Sequence, residues 1–186
     1  CGLRPDIPTL ALISGGIAIL QALAFCFAWA LNRSAPGLDR WTLASLLCGS
    51  SLLLVLCRQG FDSPLLTQWL PTLLAWAGTA LLYLGAAEFR GTRAVLKWPL
   101  LCCAPALAGY LWFGWASQQI WLRPLFYSTP MVLFLGLTAR EWFREQREGL
   151  RLPAYCSGGA AALYAISYVF RAWLIATQEA NPEPFE

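Results

Sequence analysis

Six long intervals without a charged residue divide this chain, and they limit its fold more than any other feature. No Asp, Glu, Lys or Arg occurs between Asp6 and Arg33, Arg40 and Arg58, Asp62 and Glu88, Lys97 and Arg123, Arg123 and Arg140, or Arg151 and Arg171. A helix rises about 1.5 Å per residue, so about 20 apolar residues cross a hydrocarbon layer about 30 Å thick. The intervals predict helices at about 8–31, 41–57, 64–87, 98–116, 123–143 and 153–176. In hydrocarbon every backbone amide must be bonded within its own segment, which leaves α-helices as the structure for runs this long. The second and fifth intervals are short, so charge defines their ends least well.

The expected fold is therefore all-α: a polytopic membrane helical bundle of six transmembrane helices, forming a single transmembrane domain over residues 1–186. Composition agrees, since 58% of the residues are hydrophobic and only 12% charged, against about 25% charged in soluble domains. Ten Trp suit bilayer interfaces. The absence of His removes the commonest general base and metal ligand. A net charge of +3 is too small and too scattered for a nucleic-acid-binding face, so no nucleic acid is expected as a partner.

The seven cysteines, Cys1, Cys26, Cys48, Cys57, Cys102, Cys103 and Cys156, are odd in number and mostly lie in apolar runs. There a thiol acts as a small buried hydrophobe, and no disulfide framework is read from them. Cys102 and Cys103 are adjacent with no His or Asp nearby, so a soft-metal or redox pair is disfavoured. No metal and no cofactor are expected. Cys1-Gly2 resembles the start of a processed lipoprotein, but no signal peptide precedes it, and a fragment boundary accounts for it better.

Loop charge sets the orientation. Arg33 and Arg40 follow the first helix, Arg90, Arg93 and Lys97 the third, and Arg140, Arg144, Arg147 and Arg151 the fifth: nine of the 13 basic residues on one side. That side is expected to be cytoplasmic, with both termini outside. The stretch "REWFREQREGLR", 140–151, reads as a solvated cytoplasmic helix extension. Pro71, Pro99, Pro105 and Pro130 predict kinks, because neighbouring spans can satisfy the freed carbonyls. Ser14-Gly15-Gly16 and Ser157-Gly158-Gly159-Ala160-Ala161-Ala162 predict close neighbours for the first and sixth helices. No internal repeat is evident.

With the helices placed, five stretches carry a family resemblance: "DIPTLAL" at 6–12, "GLDRWTLASLLCGSSLLLVLCRQGFDSPL" at 37–65, "GAAEFRG" at 85–91, "LRPLFYS" at 122–128 and "LPAYCSGGAAALYAISYVFRAWL" at 152–174. Through them the chain resembles the N-terminal membrane sensor region that precedes GGDEF domains in many bacterial diguanylate cyclases. The resemblance implies a location in the bacterial inner membrane, a homodimer, and control of a cytoplasmic domain that makes cyclic di-GMP. No GGDEF or GGEEF string occurs here, so the chain is not the cyclase itself. Six spans leave the C-terminus outside, and a seventh, missing helix is expected before a cytoplasmic output domain.

Arg171 interrupts the apolar run "AISYVFRAWLIAT". An arginine at mid-bilayer costs about 2.5 to 3.5 kcal/mol on insertion scales, so it is expected to snorkel, pair or line a cavity. Arg58 ends the second helix and Arg123 begins the fifth, both on the outer side with Arg171. These three arginines are the candidate pocket for a small anionic ligand reaching it from the periplasmic side, because guanidinium groups bind carboxylate or phosphate bidentately. Tyr127, Tyr164, Tyr168 and Trp69 would supply its walls and hydroxyls. The plainer reading stands beside it: the arginines reach lipid phosphates or pair with Asp6, Asp62 or Glu179. Glu88, beside Arg90, reads as an interfacial ion-pair partner.

Two other functional classes compete with a sensory module. A small transporter or channel would show inverted repeats or midplane polar groups, whereas the ionisable residues here gather at helix ends. A membrane enzyme would need a general base or paired acids, and the chain offers no catalytic motif for either.

Overall fold

In the computed structural model the chain is all-α, and the structure describes residues 7–56, 63, 65–94, 96–115, 122–145 and 149–180. Among the described residues six α-helices follow one another: α1 (Ile7–Leu31), α2 (Leu38–Leu56), α3 (Leu70–Phe89), α4 (Lys97–Trp115), α5 (Arg123–Phe143) and α6 (Arg151–Ala180). Among the described residues there is no strand. A π-helical turn, Leu65–Trp69, leads directly into α3. Pro71 in the first turn of α3 has no N–H to donate, and wider winding ahead of a proline is one way helices accommodate the lost bond.

The helices form two compact units, Cys1–Thr92 and Arg93–Glu186. In each, the middle helix packs on both neighbours: α2 on α1 and α3, α5 on α4 and α6. Among the described residues two segments, Leu38–Val55 and Leu66–Phe89, are by length and composition long and apolar enough to cross a membrane, and Ile19–Leu31 and Pro99–Phe113 are shorter apolar stretches.

In the first unit α2 and α3 meet through glycine. A Cβ at Gly78 would lie 2.5 Å from Cys48 Sγ and 3.0 Å from the Ala44 carbonyl oxygen, and one at Gly85 would enter the Trp41 indole. Small residues seven apart keep one face of α3 flat enough for the backbones to approach. The Trp41 ring sits between Phe25 of α1 (6.4 Å) and Phe89 of α3 (5.4 Å), tying the three helices at one end. At that same end Arg40 Nε lies 2.6 Å from Glu88 Oε2, so Glu88 is paired across to α2 rather than with Arg90 alongside it. The oxygen meets no hydrogen-bond angle there, which makes the contact an ion pair only. Ser51 of α2 donates to the Pro71 carbonyl at 2.7 Å, a second polar tie between the two helices.

In the second unit the Phe126 ring of α5 lies against Gly109 of α4 and stacks on Phe113 at 5.2 Å. On its other side α5 meets α6 at Gly158, whose added Cβ would fall 3.1 Å from Trp142 Cβ, and through a Phe143–Tyr155 ring contact at 6.0 Å. Of the two predicted small-residue clusters, Gly158 is used in this way, whereas a Cβ added at Gly16 or Gly159 would meet nothing within 4 Å. Pro105 and Pro130 lie inside continuous helices.

Buried hydroxyls are satisfied locally. Thr79, Ser128 and Thr138 each donate to a carbonyl of their own preceding turn at 2.7 to 3.0 Å, so they sit in apolar helices without an unmet donor. The expected solvated extension after α5 differs from what is found. Glu141 and Glu145 are only 9% and 5% exposed. Met131, Phe134, Thr138 and Glu141 follow spacings of three and four, so the helical period carries the core-facing stripe to Glu141, whereas Glu145 is buried beyond the end of α5 at Phe143.

Candidate functional site

The candidate site is built where α5 begins. Leu122 precedes the helix and Pro124 occupies its first turn, a position where a fixed φ suits helix entry and the missing N–H costs nothing. This start presents Arg123 toward α4. Its Cζ lies 4.8 Å from the centroid of the Tyr110 ring, and its Nη2 donates to the Tyr110 hydroxyl at 3.5 Å. Tyr110 is buried, 7% exposed, so the guanidinium rests on a ring that α4 holds in place. A cation over a desolvated aromatic face gains about 2 kcal/mol.

One turn further along α5, Tyr127 meets Tyr168 of α6, with ring centroids 6.1 Å apart and planes at 60°. Tyr168 shares a helix face with Tyr164 and Arg171, at spacings of four and three. Tyr168 is half-buried, whereas Tyr164 is 65% exposed and Arg171 is exposed. The arrangement is a guanidinium seated on Tyr110 of α4, a pair of contacting phenols and a second arginine one turn beyond, the last three groups on α5 and α6. Chemically it offers charge-assisted donors to an oxyanion and aromatic surface to whatever body carries it.

Of the seven residues expected from sequence, the structure brings Tyr127 and Tyr168 together and sets Arg123 one turn from Tyr127. Tyr164 and Arg171 occupy the same α6 face in the open. Arg58 lies outside the described residues, and Trp69 is the half-buried last residue of the π-helical turn in the first unit. Sequence reasoning overlooked Tyr110, although a lone tyrosine in the apolar run of α4 was a usable signal. Among the described residues no three His, Cys, Asp or Glu side chains gather as a metal set.

No family model, curated protein or solved structure matches this chain.

Proposed function

We propose that this chain is the multi-pass membrane input module of a bacterial signalling protein, with all six helices crossing the inner membrane and both ends outside. In this reading an anion bound at the Arg123, Tyr127, Tyr168 and Arg171 cluster shifts the packing of α4, α5 and α6. The output is a cytoplasmic diguanylate cyclase, which acts as a dimer because joining two GTP molecules takes two facing catalytic domains.

What supports the membrane part is the outer surface of the helices. Leu20, Leu23 and Phe27 of α1, Trp112 of α4, and Leu152 and Leu163 of α6 are each 60% to 76% exposed. Side chains of this kind belong against acyl chains. What supports the sensory part is the cluster itself: an arginine held on a buried tyrosine at the end of otherwise apolar helices. An arginine inside an apolar bundle points to a ligand or a switch, whereas one at a helix end also reaches lipid headgroups; its seat on buried Tyr110 favours the first.

Two experiments test the proposal. Thiol labelling from outside intact cells should reach a cysteine at Pro182 and miss one at Ser34; the reverse pattern overturns the topology. Deletion and overexpression of the encoding gene should move intracellular cyclic di-GMP in opposite directions, with R123Q and R171Q removing the response to growth conditions. A cyclic di-GMP level indifferent to both changes rejects the output assignment.

A transporter is the second reading, and one observation favours it. The chain divides into two units of three helices each, and three-helix units are the building block of transporters with inverted repeats. Anion uptake into proteoliposomes that is abolished by R123Q would support this reading over the sensory one.

A further inference from the structure

Three consecutive steps of the α5 hydrogen-bond ladder carry a feature that softens a helix. Ser128 Oγ donates to the Pro124 carbonyl at 2.7 Å, and Thr129 Oγ1 donates to the Leu125 carbonyl at 3.0 Å, each competing with the backbone N–H that normally bonds there. The next step is deleted, since Pro130 has no N–H for the Phe126 carbonyl. Hydroxyl back-bonding and proline are separate causes of helix bending, and here they fall on residues 128, 129 and 130 in succession.

The contacts on the two sides of this point differ. On the outer side, α5 is fastened to α4 by the Arg123–Tyr110 contact and the Phe126–Phe113 stack. On the inner side it is fastened to α6 by Gly158 and the Phe143–Tyr155 contact. Between α6 and the outer arm the described ring contact is Tyr127–Tyr168, a tilted pair at 6.1 Å.

We infer that Ser128–Pro130 is a hinge, and that the outer arm of α5 pivots there together with the outer end of α4, opening and closing the Tyr127–Tyr168 contact. The importance of this motion rests on the proposed site, because the contact lies between Arg123 on one helix and Arg171 on the other. The arm from Arg123 to Pro130 is about 10 Å long at 1.5 Å per residue, so a bend of about 15° moves its tip by roughly 3 Å. Tyr127, three residues from the pivot, lies about 4.5 Å along the axis and shifts by about 1 Å, enough to loosen its ring contact with Tyr168. Pro130 is almost wholly enclosed by its neighbours, so the pivot is shielded while the arm ends in an exposed region.

Amide hydrogen exchange of the whole protein in lipid nanodiscs tests the hinge without any ligand, so hinge and sensory reading can fail separately. Amides 127–134 should exchange about tenfold faster than 135–139, a contrast expected of a local opening. P130A should restore the ladder and remove that contrast. S128A/T129V, which keeps the proline, should reduce it about threefold. Y168A, by releasing the outer arm, should speed exchange at 123–134 in the wild-type sequence and have little effect in the P130A background. Equal protection along the whole of α5 in the wild type overturns the hinge, as does a Y168A effect that is the same in both backgrounds.

Discussion

Replacing Gly37 with alanine should separate α2 from α3 more effectively than any change to a larger side chain nearby. Gly37 has φ +80°, and an added Cβ would collide with the Gly85 carbonyl oxygen and lie 3.1 Å from its carbon. The left-handed backbone costs an alanine about 1 to 2 kcal/mol. Forcing a methyl into a packed backbone contact adds about 1 to 3 kcal/mol. The sum, about 2 to 5 kcal/mol, corresponds to about 2 to 4 °C per kcal/mol in a chain of this size. Gly91 supplies the control, because its φ is +75° and nothing lies within 4 Å of its added Cβ. G91A should bear only the backbone cost. Thermal unfolding in detergent micelles, followed by far-UV circular dichroism, reads both variants. If G37A melts no lower than G91A, the close approach of Gly37 to Gly85 does not exist and the α2–α3 packing described above is wrong.

Other outcomes follow from the same structure. The Arg40–Glu88 pair has side chains 38% and 40% exposed, so an R40Q/E88Q double-mutant cycle should give a coupling below about 1 kcal/mol that shrinks with added salt. Y110F keeps the ring under Arg123 and should cost less than Y110L, which removes it; equal losses in melting temperature would argue against the cation–ring contact. At α6, G158L should disrupt packing on α5 by about 2 kcal/mol or more through overpacking, whereas G159A, with open space around it, should be neutral or slightly stabilising because alanine is the better helix former. S51A should lower stability by about 0.5 to 1.5 kcal/mol, the net contribution of an ordinary intramolecular hydrogen bond.

Helix number and helix position could be read before any coordinates. The expected helix ends at about 31, 57, 87, 116 and 143 lie within two residues of Leu31, Leu56, Phe89, Trp115 and Phe143, where α1, α2, α3, α4 and α5 end, whereas the charge-free intervals themselves run on to Leu122 after α4 and stop at Ala139 within α5. The candidate site was legible only in part. Tyr164, Tyr168 and Arg171 share a face by period alone, whereas the partnership of Arg123 with Tyr110 joins residues 13 apart on different helices, and nothing in either stretch specifies it.

Composition and period therefore determined the all-α class, the six segments and the side of each helix on which a residue falls. Which glycine would be used, Gly158 and not Gly16, which cation Glu88 would meet, and that Glu141 and Glu145 would be buried were decided only in three dimensions. The reason is physical: a helix forms from contacts within four residues, but its partner depends on how two helices are rotated and shifted against each other, and many rotations satisfy the same apolar pattern.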